Sequence, residues 1–149
     1  MINPYDSIRY SNVLSSGYRC HYKDLNQTVE TFLNKVIKQE ATPKGPLFYS
    51  LTNVPKDEIV QGILYMPIEE SYIESSGDLY FHSYFSIEDM ISLCIHTDIE
   101  RNTEVAYHML LTHIEEVQLR PATPFFHVVS GDDTFQYVFI KIGVAEALS

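Results

Sequence analysis

Tryptophan is absent from this 149-residue chain, cysteine occurs twice, and basic residues number ten against twenty acidic ones. Each shortage excludes something. Cys20 and Cys94 are too few for a disulfide framework and too far apart for a CxxC site, so both are expected as reduced, buried thiols. A formal net charge of −10 removes the Lys/Arg surplus that phosphate neutralisation requires, which argues against nucleic acid as a partner. No apolar run approaches the length that spans a bilayer, and the opening MINPYDSIRY has neither the basic nor the hydrophobic region of a leader. The expectation is a cytoplasmic protein without membrane contact. Chemistry-bearing motifs are missing too: there is no G-x-S-x-G elbow, no HxxxH or HxH pair, and no oxygen cluster like an EF-hand loop. The expected protein is therefore not an enzyme and uses no metal or cofactor.

What is present is a repeat, and internal repeats constrain a fold more than any other pattern. Residues 106–129, AYHMLLTHIEEVQLRPATPFFHVV, form an amphipathic helical pattern that breaks at proline and runs into an aromatic strand. Residues 29–51, VETFLNKVIKQEATPKGPLFYSL, do the same, with Leu33 answering Leu110, Ile37 answering Ile114, and Pro46-Leu47-Phe48 answering Pro124-Phe125-Phe126. The match extends outward, setting Cys20 against Cys94, Asp24 against Asp98, and ILYMPI against YVFIKI.

In order, SIRYSNVL and YRCHYKD flank Ser15-Ser16-Gly17 and predict a hairpin. A helix capped at Asn26 follows, with Leu25, Val29, Phe32, Leu33, Val36 and Ile37 as its buried stripe. Strands are predicted at 47–51 and 61–68, joined by a loop over 53–57. The acidic segment 69–78 reads as a surface linker. The second half repeats the plan, with strands at 79–85 and 91–96, then a helix capped at Asn102 with Val105, Ala106, Met109, Leu110, His113, Ile114 and Val117 inward. Strands at 125–129 and 135–142 surround the turn Ser130-Gly131-Asp132-Asp133. The prediction is one α+β domain over 1–149. It comprises duplicated β-β-α-β-β units (7–68 and 79–144, linker 69–78) packed about a pseudo-twofold axis as an antiparallel sheet with two main helices and a cleft along the axis.

Side chains alternate across a strand, so each strand sorts into two sets. One is apolar and is the expected core: Phe48, Leu64, Met66, Ile68, Phe81, Leu93, Ile95, Phe126, Val128, Val138, Ile140 and Ile142. The other is rich in Tyr and His: Tyr18, Tyr22, Tyr49, Tyr65, Tyr80, His82, Tyr84, His96, His127 and Tyr137. A solvated face would carry Thr, Lys and Glu, whereas tyrosine brings a large apolar body with a polar tip. Such a face is covered either by the chain's own loops or a second copy of the chain, or by a ligand among the rings. The expected ligand-binding residues are Tyr49, Tyr65, His127 and Tyr137, with His82 at the rim. His82, His96 and His127 share that face, but their spacing does not force convergence on a metal.

GPLFYSL at 45–51, ILYMPI at 63–68 and the second helix followed by PFFHVV resemble the gyrase-inhibitor-like effector-binding domains, the drug-sensing module of certain multidrug-responsive regulators. The resemblance implies a stand-alone domain that binds a small aromatic or apolar molecule between its repeats. Its best-studied members carry a cleft glutamate where this sequence has Tyr137 and Ile63, which removes the main selection for a cation and leaves a neutral guest equally open. VPKDEIV, FHSYFSIEDMISLC, TEVAYHMLL and QYVFIKIG also resemble a small Gram-positive bacterial family found near type VII secretion toxins. That resemblance implies a second reading, a protein-interaction adaptor or accessory protein of such a toxin locus, and the tyrosine face leaves a homodimer open as well. Some effector-binding-like proteins are hydrolases, which gives a third, with Tyr137 as acid and His127 or His82 as base.

Overall fold

The computed structural model describes residues 1–52, 58–132 and 134–147. The loop expected over 53–57 and the Asp133 corner of the expected turn lie outside them. The described residues form six strands, paired antiparallel, and two α-helices, which is the α+β class. In chain order these are β1 (Asn3–His21), a 3-10 turn (Tyr22–Asp24), α1 (Leu25–Lys38), β2 (Phe48–Leu51), β3 (Ile59–Pro67), β4 (Tyr80–Ile95), α2 (Ile99–Glu116), β5 (Leu119–Gly131) and β6 (Gln136–Glu146). Two compact units result, residues 9–85 and residues 86–149 with 1–8.

Each unit has one strand fewer before its helix than the sequence predicts. SIRYSNVL and YRCH are one continuous strand, and so are the two segments expected at 79–85 and 91–96. Ser15-Ser16-Gly17 has turn composition, yet Ser15 and Ser16 are buried and stand opposite Tyr65 and Leu64 in the β1–β3 ladder. Tertiary pairing overrides the local signal. The irregularity falls elsewhere, at Asn12 (φ 60°) in β1 and Asp89 (φ 55°) in β4. Asn and Asp are the side chains that best tolerate the left-handed region. The order is thus strand, helix, strand, strand in both units. Segment 69–78 belongs to the 9–85 unit: Ile73 packs on its core and Asp78 pairs with Lys35 of α1.

α1 buries Phe32 and Val36, and α2 buries Ala106, Leu110 and Ile114. Both stripes are narrower than predicted, since Ile37, Val105, Met109 and Val117 are exposed. Asp24 and Asp98 occupy the N-cap positions expected for Asn26 and Asn102; the Asn102 amide instead donates to the Thr97 carbonyl. Both helices end on a left-handed residue, Glu40 (φ 61°) and Gln118 (φ 61°). At α1 the Glu40 N–H reaches the Ile37 carbonyl and the Ala41 N–H the Val36 carbonyl, a Schellman motif that satisfies the last carbonyls.

These landmarks set the repeat register. Glu40 answers Gln118, so Phe32 answers Leu110 and Val36 answers Ile114, one residue away from the sequence alignment of the helices. Asn12 answers Asp89, so Gly17, not Cys20, answers Cys94. Cys94 is accordingly exposed, against the expectation of a buried thiol, while Cys20 is half-buried against the core.

In the 9–85 unit the strands lie in the order β1, β3, β2, and Leu14, Tyr18, Leu64, Met66 and Ile68 pack under α1. In the other unit the order is β4, β6, β5, and Ile91, Leu93, Ile95, Val138, Ile140 and Ile142 pack under α2. β5 starts directly after Gln118 and carries Pro121 and Pro124 across an irregularity between Pro121 and Phe125. Such breaks are where strand proline is tolerated.

Candidate functional site

Residues directly opposite in an antiparallel ladder share a face. Tyr49 stands opposite Leu64 and His127 opposite Ile140, and both partners belong to the cores beneath the helices. Tyr49 and His127 therefore lie on the helix side, the reverse of the expected facing, while Phe48 and Phe126 lie on the other. The physical reason is local. Leu47-Phe48 and Phe125-Phe126 are adjacent large apolar pairs, so either phase of the alternation puts one of them in a core and the period cannot choose.

Beneath α1, the Tyr49 ring meets Tyr18 edge-on at 6.3 Å, and burial pushes its phenol up to about 12. The Tyr18 hydroxyl donates to the Ser50 carbonyl at 2.8 Å. Beneath α2, His127 is 7% exposed and hydrogen-bonds through Nε2 to the Tyr107 hydroxyl, with the Tyr107 ring stacked on Phe125 at 4.2 Å. Burial lowers the imidazole to about 4, so it is neutral near pH 7. These are packed, hydrogen-bonded interior groups.

The opposite face of the 9–85 unit brings together two of the predicted site residues, Tyr65 and His82. Phe48 and Tyr65 stack at 4.7 Å with 8° between their planes. Phe85 lies 4.7 Å from Tyr65, Tyr10 lies 5.4 Å from Phe48, and the His82 ring lies 6.5 Å from Tyr65. Ser15, opposite Tyr65, shares a 2.7 Å hydrogen bond with His82 Nε2. Phe48 and Tyr65 are buried, whereas Tyr10, His82 and Phe85 are half-buried and form the accessible rim. Burial also raises the Tyr65 phenol, so it is a hydrogen-bonding group rather than a source of charge. Two residues to either side of His82, Tyr80 and Tyr84 are exposed.

The same face of the other unit carries charge. Ser92 is the repeat counterpart of Ser15, and Lys141, opposite Ser92, is the counterpart of Tyr65. The Ser92 hydroxyl donates to Asp6 at 2.6 Å, and Lys141 donates to Asp6 at 3.2 Å and to the Ser7 carbonyl at 2.9 Å. Lys141 also lies 5.6 Å over the Phe139 ring. Burial pushes the Asp6 carboxyl up, but the hydrogen bonds from Ser92 and the Ser7 N–H and the Lys141 charge outweigh it, and the net shift is downward. Asp6, Ser92 and Lys141 escaped the sequence reading because the ILYMPI and YVFIKI alignment is two residues off, which keeps the facing but pairs Tyr65 with Phe139. The remaining predicted residue, Tyr137, sits between Phe135 (5.7 Å) and Phe139 (5.6 Å). His96 is exposed near Phe135, and Tyr22 is exposed in the 3-10 turn.

Two three-stranded antiparallel units, each with one helix covering one face, define a gyrase-inhibitor-like α+β fold. The C-terminal domain of EcmrR aligns with a TM-score of 0.67 at 12% identity, over 96% of this chain and 99% of that domain. EcmrR in the EcmrR–DNA complex of EcmrR-RPo aligns at 0.74 and 11% identity over 97% of this chain, which spans 59% of that longer one. A protein described as a hydrolase from Listeria innocua aligns at 0.58 and 7% identity, over 95% of this chain and 91% of that one. At such identities the likeness is one of fold. By sequence, the chain belongs to the family described as domain of unknown function DUF5085, whose model matches residues 9–146. No curated protein matches it. Among the described residues no helix is long and apolar enough to cross a membrane.

Proposed function

We propose that the chain binds a small aromatic or apolar molecule without transforming it, using the aromatic face of the 9–85 unit with Tyr65 and His82 as principal contacts. The observation that carries this reading is the stacked cluster of Tyr10, Phe48, Tyr65 and Phe85 on the sheet face that no helix of its unit covers. Ring faces supply burial, and the Ser15–His82 pair supplies one oriented polar group at the edge. Exposed Tyr80 and Tyr84 extend the aromatic surface outward from His82. The fold shared with the EcmrR C-terminal domain supports the same reading. Thermal shift against indole, 2-naphthol and benzamide tests it, because a binder is stabilised by mass action as ligand rises above Kd. A rise in melting temperature with at least one of them, lost in His82→Leu, is the expected result; no shift with any contradicts it.

A second reading, ester hydrolysis, has the Ser15–His82 hydrogen bond in its favour and the burial of Ser15 against it. The Listeria innocua protein described as a hydrolase shares the fold. Release of p-nitrophenol from p-nitrophenyl acetate that disappears in Ser15→Ala would replace binding with catalysis.

A further inference from the structure

On the α1 side of β1, away from the Tyr65 face, the 9–85 unit contains a groove of about 280 Å³. Its lining joins the buried Tyr18, Phe32 and Leu64 to the more exposed Arg19, Gln27 and Lys35. A groove of about 260 Å³ stands at the equivalent place in the other unit. Where the first uses residues 16–19 of β1, the second uses 93–96 of β4; where the first uses Gln27, Thr28 and Thr31 of α1, the second uses Val105, Ala106 and Met109 of α2. The hollow is thus a product of the repeated backbone. Its side-chain charge is not: Arg19 answers His96, and among the described residues Arg and Lys side chains line the first groove but not the second.

A carboxylate already sits on that groove. Asp78 Oδ2 accepts from Lys35 Nζ at 2.8 Å and from the Ser16 hydroxyl at 3.3 Å, reaching from the strand wall to the helix wall. Both walls present donors that converge on one oxygen, with an apolar floor beside them. Asp78 and Lys35 are largely open to water, their side chains 59% and 42% exposed, so this contact exchanges readily for another.

We propose that the groove is a second ligand site, for a small carboxylate with an apolar body, and that Asp78 holds the place of the ligand's carboxylate until it is displaced. The incoming carboxylate takes the Lys35 ammonium and the Ser16 hydroxyl, its hydrocarbon part lies on Tyr18, Phe32 and Leu64, and Asp78 turns into solvent. The internal competitor weakens the site by as much as an exposed ion pair is worth, roughly two- to fivefold in affinity.

Isothermal titration of the full chain with hexanoate, and with hexan-1-ol as the uncharged probe of equal length, tests this. Wild type is expected to prefer hexanoate. Asp78→Asn is expected to tighten hexanoate roughly two- to fivefold and leave hexan-1-ol unchanged, and Lys35→Met to abolish the preference. Hexanoate binding Asp78→Asn no more tightly than hexan-1-ol, or no more tightly than it binds wild type, overturns the proposal. The Asp78→Asn arm stands alone if Lys35→Met lowers the melting temperature. Tyr65→Leu, on the other face, is expected to leave hexanoate binding intact, so this site and the aromatic one fail separately.

Discussion

Gly62 sits where β3 passes close to β2: a Cβ there would lie 1.9 Å from the Ser50 carbonyl oxygen, so only glycine fits without moving backbone. Gly62→Ala is expected to destabilise the chain by at least about 2 kcal/mol, read as a lower urea midpoint, because the clash is with main chain and no side chain can yield. His127 makes a different single-residue prediction. Its imidazole titrates near 4 in the folded chain against an ordinary value of 6.5, so between those values the unfolded chain binds the proton and the folded one does not. Its contribution is complete above about 6.5 and is lost as pH falls toward 4, on the order of 3 kcal/mol in all. Urea titrations at pH 7 and pH 4.5 are expected to differ more for wild type than for His127→Gln; equal differences would mean that another group governs acid lability. Neither residue announces itself in the sequence. Gly62 reads as one more glycine in a strand, and His127 falls on the wrong face when the alternation is counted from Phe126.

At the scale of elements, the helices were largely legible and the strands only in part. The four-residue spacing of Phe32 and Val36 and of Leu110 and Ile114 identified both helices because a helix offers one stripe and the period selects it. A strand offers two faces, and adjacent apolar residues in β2 and β5 left the choice open. Ser15-Ser16-Gly17 reads as a break because turn composition is a local signal, whereas the ladder to β3 holds those residues in β1; the residues between 85 and 91 likewise continue β4 into the segment paired with β6. The helix ends were not legible either, since Glu40 and Gln118 hold positions where glycine is the usual residue. That departure is measurable. Glu40→Gly and Gln118→Gly are each expected to raise stability by about 0.5–1 kcal/mol through relief of left-handed strain. Gln39→Gly, at φ −82°, is expected to lower it. Thermal melts of the three variants separate relief of strain from a general effect of glycine.

Over the whole molecule, one backbone plan occurs twice and carries different chemistry each time. Ser15 and Ser92 are the same residue in the same place, but one meets His82 beside Tyr65 and the other meets Asp6 beside Lys141. The repeat itself was visible from residues 29–51 and 106–129, yet the Asp6–Lys141 pair joins positions 135 apart, and no local pattern marks it. With side chains only 13% and 20% exposed, Lys141 and Asp6 form a nearly buried pair. Lys141→Met alone is expected to cost about 3 kcal/mol by stranding the carboxylate, and Asp6→Asn with Lys141→Met to recover much of it; additive losses would refute the coupling. The aromatic counterpart of that pair is the claimed ligand site, and the absence of tryptophan gives it a direct assay, since bound indole can be excited with little protein background. We expect indole fluorescence to saturate on titration with wild type, Tyr65→Leu to weaken binding by about fivefold to tenfold, and Tyr49→Phe, altered beneath α1, to bind as wild type does. Loss of binding in Tyr49→Phe with Tyr65→Leu unaffected, or no saturable binding at all, would contradict the assignment of the site to the Tyr65 face.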